Sequence, residues 1–422
     1  MRPIFLAALA VIFAASPALA CTGQSVHLEG DFDIGDPGWG PQDERFNVQG
    51  PKAVLTPEPG TQTARWDTGL TLTDLDACVT LTMPNDPTDT SRTYAGLLFW
   101  LTDKNNFYEA VIAPNGLFTV ARKINGKLAM AAPVPWTKTD ALKLAPGDKN
   151  VLRLTLEGQM VTVRINDEVV ARFRGQAPGK PSHIGLVAAS APDATDIWHV
   201  SQLKVTNVAT SDNASAEADE TISTGAVETK KGCGAGEVLF ADAFQTHDPT
   251  WGRKDARVSI GDGSAVMTPV PGTRTFRWNK AFVFEDIDAC ASVRLAKPTA
   301  DSTTSYAGLM FWVQNDRNFY QAVLAPNGYL TVARVVDGEV QEKRPVDWTM
   351  LDVAETGAKE TNTLRVVTKG GDVTILVNDK EVASFEGEAP DDPSYIGLLA
   401  SSAQSRRGDT WSVTDLRVTA PQ

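Results

Sequence analysis

One 29-residue stretch occurs twice in the chain, and it constrains the fold more than any other feature. Residues 94–122 read YAGLLFWLTDKNNFYEAVIAPNGLFTVAR, and residues 306–334 read YAGLMFWVQNDRNFYQAVLAPNGYLTVAR. The shift is 212 residues without a gap, and 19 of the 29 positions are identical. Short apolar runs joined by turn residues are typical of β-strands, and Asn-Gly suits a tight hairpin. The sequence therefore predicts an antiparallel three-strand meander in each copy.

The same shift extends over most of the chain and places the domain boundaries. It aligns Trp136 with Trp348 far outside the meander. We predict one domain at residues 21–207 and its duplicate at residues 233–422, since a unit of this size is too long for a solenoid repeat. Residues 208–232 are rich in Ala, Ser, Thr and acidic residues without apolar periodicity, which predicts a flexible acidic linker.

The first twenty residues have the features of a signal peptide. A positive start at Arg2, an apolar run and a small-x-small site predict cleavage after Ala20 and a periplasmic or secreted protein. That run is too short for a stable membrane anchor, so we expect no transmembrane segment. Cleavage would leave Cys21 first, as in a lipoprotein. Ala18 and Leu19 stand in the reverse of the lipoprotein order, which disfavours lipidation.

The four cysteines have the same spacing in both repeats. Cys21 and Cys78 are 57 residues apart, and so are Cys233 and Cys290. We predict the disulfides Cys21–Cys78 and Cys233–Cys290, formed in an oxidising compartment. Cys233 lies in mid-chain and cannot be lipidated, although it occupies the place of Cys21. No Cys-x-x-Cys pair is present, so no metal site is expected from these residues.

The formal net charge of −13 disfavours a polyanionic partner. Nucleic-acid binders usually carry a basic face, and no basic cluster occurs in this sequence, so we expect no nucleic-acid partner. We expect no cofactor either. Asp31, Asp33 and Asp36 could suggest a calcium loop, but Ala243 and Gln245 replace the first two in the second repeat. Calcium needs several converging oxygens, so support for it is weak.

Outside the meander, nearly every recognisable element is a strand. Leu152, Leu154 and Leu156 alternate with polar residues, and Asn166-Asp167 then turns the chain. No segment carries a long apolar period of 3.6 residues, so helix should be scarce. Many short strands separated by turn signals predict an all-β sandwich or jelly roll.

Three motifs together resemble a known superfamily. They are the Gly-Leu-Leu/Met-Phe-Trp strand followed by Asn-Phe-Tyr, the Ile/Val-Asn-Asp hairpin, and the Ile-Gly-Leu strand before a final Trp-x-Val-x-x-Leu-x-Val. This order is similar to the concanavalin A-like lectin/glucanase superfamily, particularly its laminin-G-like and 3-keto-disaccharide-hydrolase-type domains. The resemblance implies two tandem jelly-roll β-sandwiches, each with a concave sheet that binds ligands on its face or rim. It implies no single activity, because the fold hosts lectins, hydrolases and spacers.

The acid pair of a retaining glycosidase is missing from the sequence. Laminarinase-like members carry Glu-x-Asp-x-x-Glu on one strand, which holds two carboxylates at the short separation required. The string Glu285–Asp288 lacks the trailing glutamate, as does its counterpart Thr73–Asp76. We expect Asp74, Asp76 and their counterparts to cap a turn. None of the four histidines recurs in the other repeat, so no histidine-based mechanism is shared.

Aromatic and polar residues that both repeats share are the candidate ligand-binding residues. Sugars usually stack their C–H groups on an aromatic face, while polar side chains bind their hydroxyls. The candidates come from the Pro-Gly-Thr-x-Thr-x-Arg-Trp motif and from the meander: Arg65, Trp66, Glu109 and Arg122, with Arg277, Trp278, Gln321 and Arg334. We expect Trp100 to share a strand face with Leu98, and we expect Trp100, Tyr108 and Trp198 to fill the core.

Three functions are compatible with these observations. The favoured one is an exported, non-catalytic protein whose two lectin-like domains recognise carbohydrate or a cell-envelope component. The alternatives are a saccharide-acting hydrolase of the same fold, and a structural or protein-interaction module of the envelope. Two modest sites on a flexible linker would gain avidity on a polymeric ligand.

Overall fold

The structure is a computed structural model that describes residues 21–30, 32, 37–87, 92–209, 233–297, 303–357, 359–404 and 407–422. The predicted signal peptide, nearly all of the predicted linker and the three aspartates considered for calcium lie outside these residues. No helix within the described ranges has the length and apolar character needed to cross a membrane.

Strands make up nearly all of the regular structure. Those of the first repeat are β1 (Val26–Gly30), β2 (Phe46–Gln49), β3 (Lys52–Leu55), β4 (Gln62–Trp66), β5 (Leu75–Thr82), β6 (Tyr94–Asp103), β7 (Asn106–Ile112), β8 (Leu117–Ile124), β9 (Lys127–Leu128), β10 (Val134–Lys138), β11 (Lys149–Glu157), β12 (Met160–Ile165), β13 (Glu168–Arg174), β14 (His183–Ala189) and β15 (Trp198–Thr206). Those of the second are β16 (Val238–Asp242), β17 (Val258–Gly261), β18 (Ser264–Met267), β19 (Arg274–Trp278), β20 (Asp288–Lys297), β21 (Tyr306–Asn315), β22 (Asn318–Leu324), β23 (Tyr329–Val336), β24 (Glu339–Val340), β25 (Val346–Met350), β26 (Thr361–Lys369), β27 (Asp372–Val377), β28 (Lys380–Glu386), β29 (Tyr395–Ser401) and β30 (Thr410–Thr419). Single-turn 3-10 helices occur at Pro37–Trp39 and Pro249–Trp251.

Each repeat folds into one eight-stranded and one seven-stranded antiparallel sheet. In the first repeat the orders are β13-β12-β11-β5-β15-β3-β2, with β1 on β15, and β10-β8-β7-β6-β14-β4, with β9 on β8. In the second they are β17-β18-β30-β20-β26-β27-β28, with β16 on β30, and β19-β29-β21-β22-β23-β24, with β25 on β23. Buried side chains of both sheets form one core cluster in each repeat. The prediction of two tandem β-sandwiches is confirmed, while the domain and linker boundaries stay predictions.

The repeated meander forms the centre of each seven-stranded sheet. Its three predicted strands are β6 to β8 in the first repeat and β21 to β23 in the second. Gly116 and Gly328 take the left-handed conformation at the tight turns, with φ of 82° and 85°. Trp100, Tyr108 and Trp198 lie in the core cluster, as predicted.

The alternation predicted for β6 fails at Trp100. This residue has a φ of 46°, its counterpart Trp312 has a φ of 48°, and the pairing of each strand shifts register at this point. A bulge of this kind sends two successive side chains to one face. Phe99 and Trp100 therefore both enter the core, and the prediction that Trp100 shares a face with Leu98 is wrong.

A glycine makes room for each of these tryptophans. A Cβ atom on Gly175 would lie 2.5 Å from Cζ3 of Trp100, and one on Gly387 would lie 2.6 Å from Cζ3 of Trp312. Both distances are far below a van der Waals contact. The bulged tryptophan and the glycine are thus a matched pair in both repeats.

Both predicted disulfides are present, joining Cys21 to Cys78 and Cys233 to Cys290. Beside the first, the carboxylate of Asp76 accepts hydrogen bonds from Nε and Nη2 of Arg153 at 2.8 and 2.7 Å.

The four aspartates before the cysteines have two different roles. Asp74 and Asp286 accept the backbone N–H of Gly158 and Gly370 at 2.7 and 2.8 Å, and so cap a neighbouring hairpin turn. Asp76 and Asp288 lie in strands and bind arginine instead, so the expected turn-capping role is wrong for that pair.

We expect Gly175→Ala and Gly387→Ala each to lower the free energy of unfolding by about 1–3 kcal/mol, the usual cost of overpacking a rigid core. Urea denaturation of the full chain, followed by circular dichroism, measures this change.

Gly179→Ala is the matched control, because no heavy atom lies within 4 Å of a Cβ built at Gly179. Equal midpoints for Gly175→Ala and Gly179→Ala would contradict the proposed steric pairing with Trp100.

Candidate functional site

Each seven-stranded sheet buries apolar side chains on both of its faces. One face packs on the eight-stranded sheet, and the opposite face is called the outer face below. On the outer face of the first repeat the buried residues are Leu98, Leu101, Phe107, Val111 and Val187. On that of the second they include Met310, Val313, Phe319, Val323, Val335 and Leu399. In the second repeat, Ile124 and Ala131 of the first repeat also pack against this outer cluster.

A pair of aromatic rings lies at one end of each outer face. Tyr94 on β6 and Trp136 on β10 have ring centroids 5.9 Å apart, and Tyr306 and Trp348 repeat this arrangement at 5.8 Å. Trp136 is 43% exposed, which is unusual for a tryptophan that belongs to a packed sheet. Both repeats therefore present the same partly open aromatic pair.

A buried carboxyl group lies beside this pair in the first repeat. Nε2 of Gln62 donates to Oε2 of Glu109 at 2.7 Å and to the hydroxyl oxygen of Tyr94 at 3.3 Å. Burial raises the pKa of Glu109, although the Gln62 hydrogen bond and the charge of Lys123 oppose the rise. Burial also raises the pKa of Tyr94, and the Glu109 charge adds to that shift. The Glu109 carboxyl group is thus a hydrogen-bond acceptor that the Gln62 side-chain amide already occupies.

The same position in the second repeat opens into a cavity of about 410 Å³. Tyr306, Trp348 and Gln321 line it, together with Thr331 and Arg344. Gln321 is 2% exposed, and its Oε1 has no hydrogen-bond partner among the described residues. A buried acceptor left unpaired costs roughly 1–3 kcal/mol, so a donor supplied by a ligand would be bound favourably here.

Four of the eight predicted site residues lie on the outer faces. Glu109 pairs across the sheet with Leu98, and Gln321 pairs with Met310. Trp66 and Trp278 pack against the outer apolar clusters. Of these, Gln321 lines the cavity described above.

Arg65 and Arg277 point to the opposite face from the tryptophans that follow them. Arg65 pairs across the sheet with core residue Leu186, and its Nη2 lies 2.6 Å from Oδ2 of Asp43. Arg277 repeats the ion pair with Asp255 at 2.5 Å. The sequence motif Arg-Trp is therefore divided between two faces, as strand alternation requires.

Arg122 lies at a direct contact between the two repeats. It donates to the backbone oxygen of Ala281 at 3.1 Å, as does the Tyr108 hydroxyl at 3.2 Å. Gln176 donates to the oxygen of Val283 at 3.1 Å and accepts the N–H of Val283 at 3.2 Å. The repeats are thus joined by these contacts as well as by the chain between them.

The counterpart of Arg122 has a different partner. Arg334 forms an ion pair with Glu388 at 2.5 Å, and Glu388 stands where the first repeat has Gln176. The ligand-binding role of all eight residues stays a prediction. The four arginines among them already form ion pairs or hydrogen bonds within the protein.

The aromatic pair was missed by the sequence reasoning, as were Gln62 and Arg344. Trp136 and Trp348 were recognised only as landmarks of the duplication. A usable signal was present, because each follows a proline or aspartate in a short polar segment where a buried strand is not expected. Tyr94 and Tyr306, which open the repeated meander, could then have been placed on the same face by counting alternate residues.

Acidic and metal-binding groups are distributed away from this cavity. None of the described residues lining the second-repeat cavity is acidic. The Glu285–Asp288 string lies on the other sheet, where Asp286 and Asp288 are already hydrogen-bonded. Within the described part of the chain, one group of potential metal ligands meets, Cys21, Asp76 and Cys78, and its two sulfurs are joined in the disulfide.

No protein-family model and no curated protein matches this chain. Among solved structures it is similar to the carbohydrate binding module CBM66 from Bacillus subtilis, with 15% identity and a TM-score of 0.30 over 37% of this chain and 86% of that one. It is also similar to the Bacillus licheniformis beta-glucanase, with 9% identity and a TM-score of 0.34 over 44% of this chain and 100% of that one. It is similar as well to the metal-free Emp46p carbohydrate recognition domain, with 14% identity and a TM-score of 0.33 over 42% of this chain and 93% of that one. Similarities of this size do not identify a family or a ligand-binding residue for this chain.

We expect Glu109→Gln to raise the free energy of unfolding at pH 7, because the amide replaces a carboxylate whose ionisation is disfavoured by burial. The folded-state pKa of Glu109 is raised above its ordinary value of 4.5, so the folded protein loses stability as pH rises from that value through the raised pKa. The gain from the substitution should therefore vanish at pH 4. Urea denaturation between pH 4 and pH 8 measures it.

Gln321→Glu is the converse variant and should destabilise the chain at pH 7, because it places a carboxylate in the same buried position. Glu157→Gln, at an exposed residue of the other sheet, controls for the change in net charge. A gain for Glu109→Gln that is the same at pH 4 and pH 8 would contradict the buried-carboxylate account.

Proposed function

We propose that the protein is an exported, non-catalytic carbohydrate-binding protein that holds saccharide on the outer faces of its two seven-stranded sheets. In the second repeat the site is the cavity that Tyr306 and Trp348 line. In the first repeat it is the matching surface at Tyr94 and Trp136.

The carrying observation is an aromatic pair beside a buried acceptor that has no hydrogen-bond partner among the described residues. Aromatic rings carry negative charge on their faces, which attracts the weakly positive C–H groups of a sugar ring. The unpaired Oε1 of Gln321 would accept a sugar hydroxyl at the end of the cavity. Together these groups supply the apolar wall and the oriented polar contact that small-molecule sites require.

Small polar side chains complete the cavity. Its lining includes the hydroxyl residues Thr303, Thr304, Ser401 and Ser402. A volume of about 410 Å³ falls within the usual range of roughly 300–1,000 Å³ for ligand sites, and it is large enough for one or two sugar rings. Hydroxyl-rich lining favours a ligand with many hydroxyl groups over an apolar one.

The carboxyl groups favour binding over hydrolysis. A retaining glycosidase needs two carboxyl groups about 5–5.5 Å apart, and an inverting one needs them about 6.5–9.5 Å apart. The described lining of the second-repeat cavity contains none, and Glu109 in the first repeat is held by Gln62. We therefore propose binding without catalysis.

The disulfides are compatible with a periplasmic or secreted location, where a cell-envelope saccharide would be available as a ligand. Cys21 is linked to Cys78, which supports the view that it is not a lipid anchor.

We expect Trp348→Ala and Trp136→Ala each to weaken saccharide binding at their own repeat by at least tenfold, because each removes one wall of the aromatic pair. A glycan array first selects a ligand, and isothermal titration calorimetry of the full chain then gives affinity and stoichiometry. The double variant should bind nothing.

Met350→Ala is the control, since Met350 is exposed on the same strand as Trp348 and does not line the cavity. Unchanged affinity and stoichiometry in the double tryptophan variant, with its fold intact by circular dichroism, would overturn the proposed site.

A further inference from the structure

We propose that the second-repeat cavity selects an acidic saccharide, whose carboxylate is bound by Arg344. The inference rests on the proposed carbohydrate-binding function and adds the chemical class of the ligand. It concerns the second repeat alone, because the residues that carry it differ between the repeats.

Arg344 lies in the cavity wall and donates one hydrogen bond to the described residues. Its Nη1 donates to Oγ1 of Thr331 at 3.2 Å, and the Thr331 hydroxyl in turn donates to the backbone oxygen of Val346 at 2.8 Å. Its guanidinium carbon lies 5.9 Å from the ring centroid of Trp348, within cation–π distance. The side chain is thus fixed from two directions, while a guanidinium has five N–H donors in all.

No described carboxylate forms an ion pair with Arg344, and no described residue of the cavity lining is acidic. A half-buried guanidinium at the side of a polar cavity, with no counter-charge among the described residues, is suited to a carboxylate that it can bind with two parallel hydrogen bonds. A sugar ring stacked on Tyr306 and Trp348 would lie beside it.

The matching positions of the first repeat lack this feature. Ala132 stands in place of Arg344, and Glu109 stands in place of Gln321. A buried carboxyl group at that point would repel an acidic sugar whenever it is ionised. We therefore infer that the two repeats differ in the charge of the saccharide they accept.

A second arginine on the same outer face strengthens the contrast. Arg274 replaces Gln62, and its guanidinium lies 5.9 Å from the ring centroid of Phe319 and donates to the backbone oxygen of Gly338 at 3.1 Å. In the first repeat the equivalent cation over Phe107 is Lys123, whose charge acts on Glu109. At these two positions of the outer face the second repeat thus has Arg274 and Arg344, where the first repeat has the uncharged Gln62 and Ala132.

The net charge of −13 does not prevent this binding. At physiological ionic strength, charges farther away than about 8 Å are largely screened, so the guanidinium at the cavity dominates. Because of this screening, we expect the cavity to prefer a single acidic sugar unit that reaches the guanidinium, and we expect no such preference for a long polyanion.

The test compares acidic trisaccharides of glucuronic and galacturonic acid with the same trisaccharides after reduction of their carboxyl groups. The protein is the full chain carrying Trp136→Ala, which silences the first repeat. We expect the acidic form to bind at least tenfold more tightly than the reduced form. Arg344→Gln in this background should bring the two affinities within about twofold, mainly by weakening the acidic form.

The outcomes separate this inference from the proposed function. If Trp348→Ala abolishes binding of both forms but Arg344→Gln leaves their affinity ratio unchanged, the site binds saccharide and the role of Arg344 is wrong. If Trp348→Ala leaves both affinities unchanged, or if no saccharide binds the full chain, the proposed function and this inference fail together.

A transfer experiment provides the converse test. Ala132→Arg combined with Glu109→Gln, in the full chain carrying Trp348→Ala, should give the first repeat a preference for the acidic trisaccharide. Continued preference for the reduced form in that variant, with an intact fold, would show that the two positions do not set the charge selectivity.

Discussion

A tryptophan in the left-handed backbone conformation, present once in each repeat, controls which side chains of the seven-stranded sheet face which way. Because β6 and β21 bulge at Trp100 and Trp312, two successive aromatic residues enter the core, and the strand then resumes its alternation one residue later. Non-glycine residues in this region cost of order 1–3 kcal/mol, so the surroundings must hold them there. Gly175 and Gly387 do so by leaving room for the indole rings. Leu101 and Val313, which follow the bulged tryptophans, thereby belong to the outer faces.

The duplication preserved the aromatic elements of the outer face and changed the polar ones. The pairs Tyr94–Trp136 and Tyr306–Trp348 have nearly the same spacing, whereas Glu109 faces Gln62 and Gln321 has no described partner for its Oε1. Such a pattern suits two sites with a common apolar platform and separate specificities. The first repeat also contacts the second directly, because the side chains of Tyr108 and Gln176 donate hydrogen bonds to backbone oxygen atoms of the second repeat. The gain in avidity on a polymeric ligand would then depend on the distance that these contacts set between the two sites, as well as on the linking chain.

The sequence was sufficient for the fold, the meander and the disulfides, because each depends on local patterns or on the exact spacing of the duplicate. It was insufficient at Trp100, since a bulge depends on tertiary packing against Gly175 and is not visible in a period of two. The site was predicted only in part. Glu109 and Gln321 were predicted as candidates without a face, and Arg65 was grouped with Trp66 although neighbours in a strand point to opposite faces. The proposed role of Arg344 could not be predicted, because it depends on a contact with Thr331 on strand β23, and no local sequence pattern indicates that contact.

The most direct test of the central claim is a crystal structure of the full chain with a bound saccharide selected by glycan array. The account predicts a sugar ring stacked against Tyr306 and Trp348, with one hydroxyl within hydrogen-bond distance of Oε1 of Gln321. Saccharide bound elsewhere, for instance in the cavity of about 370 Å³ between the repeats near Tyr395, with the Tyr306–Trp348 cavity empty, would contradict it.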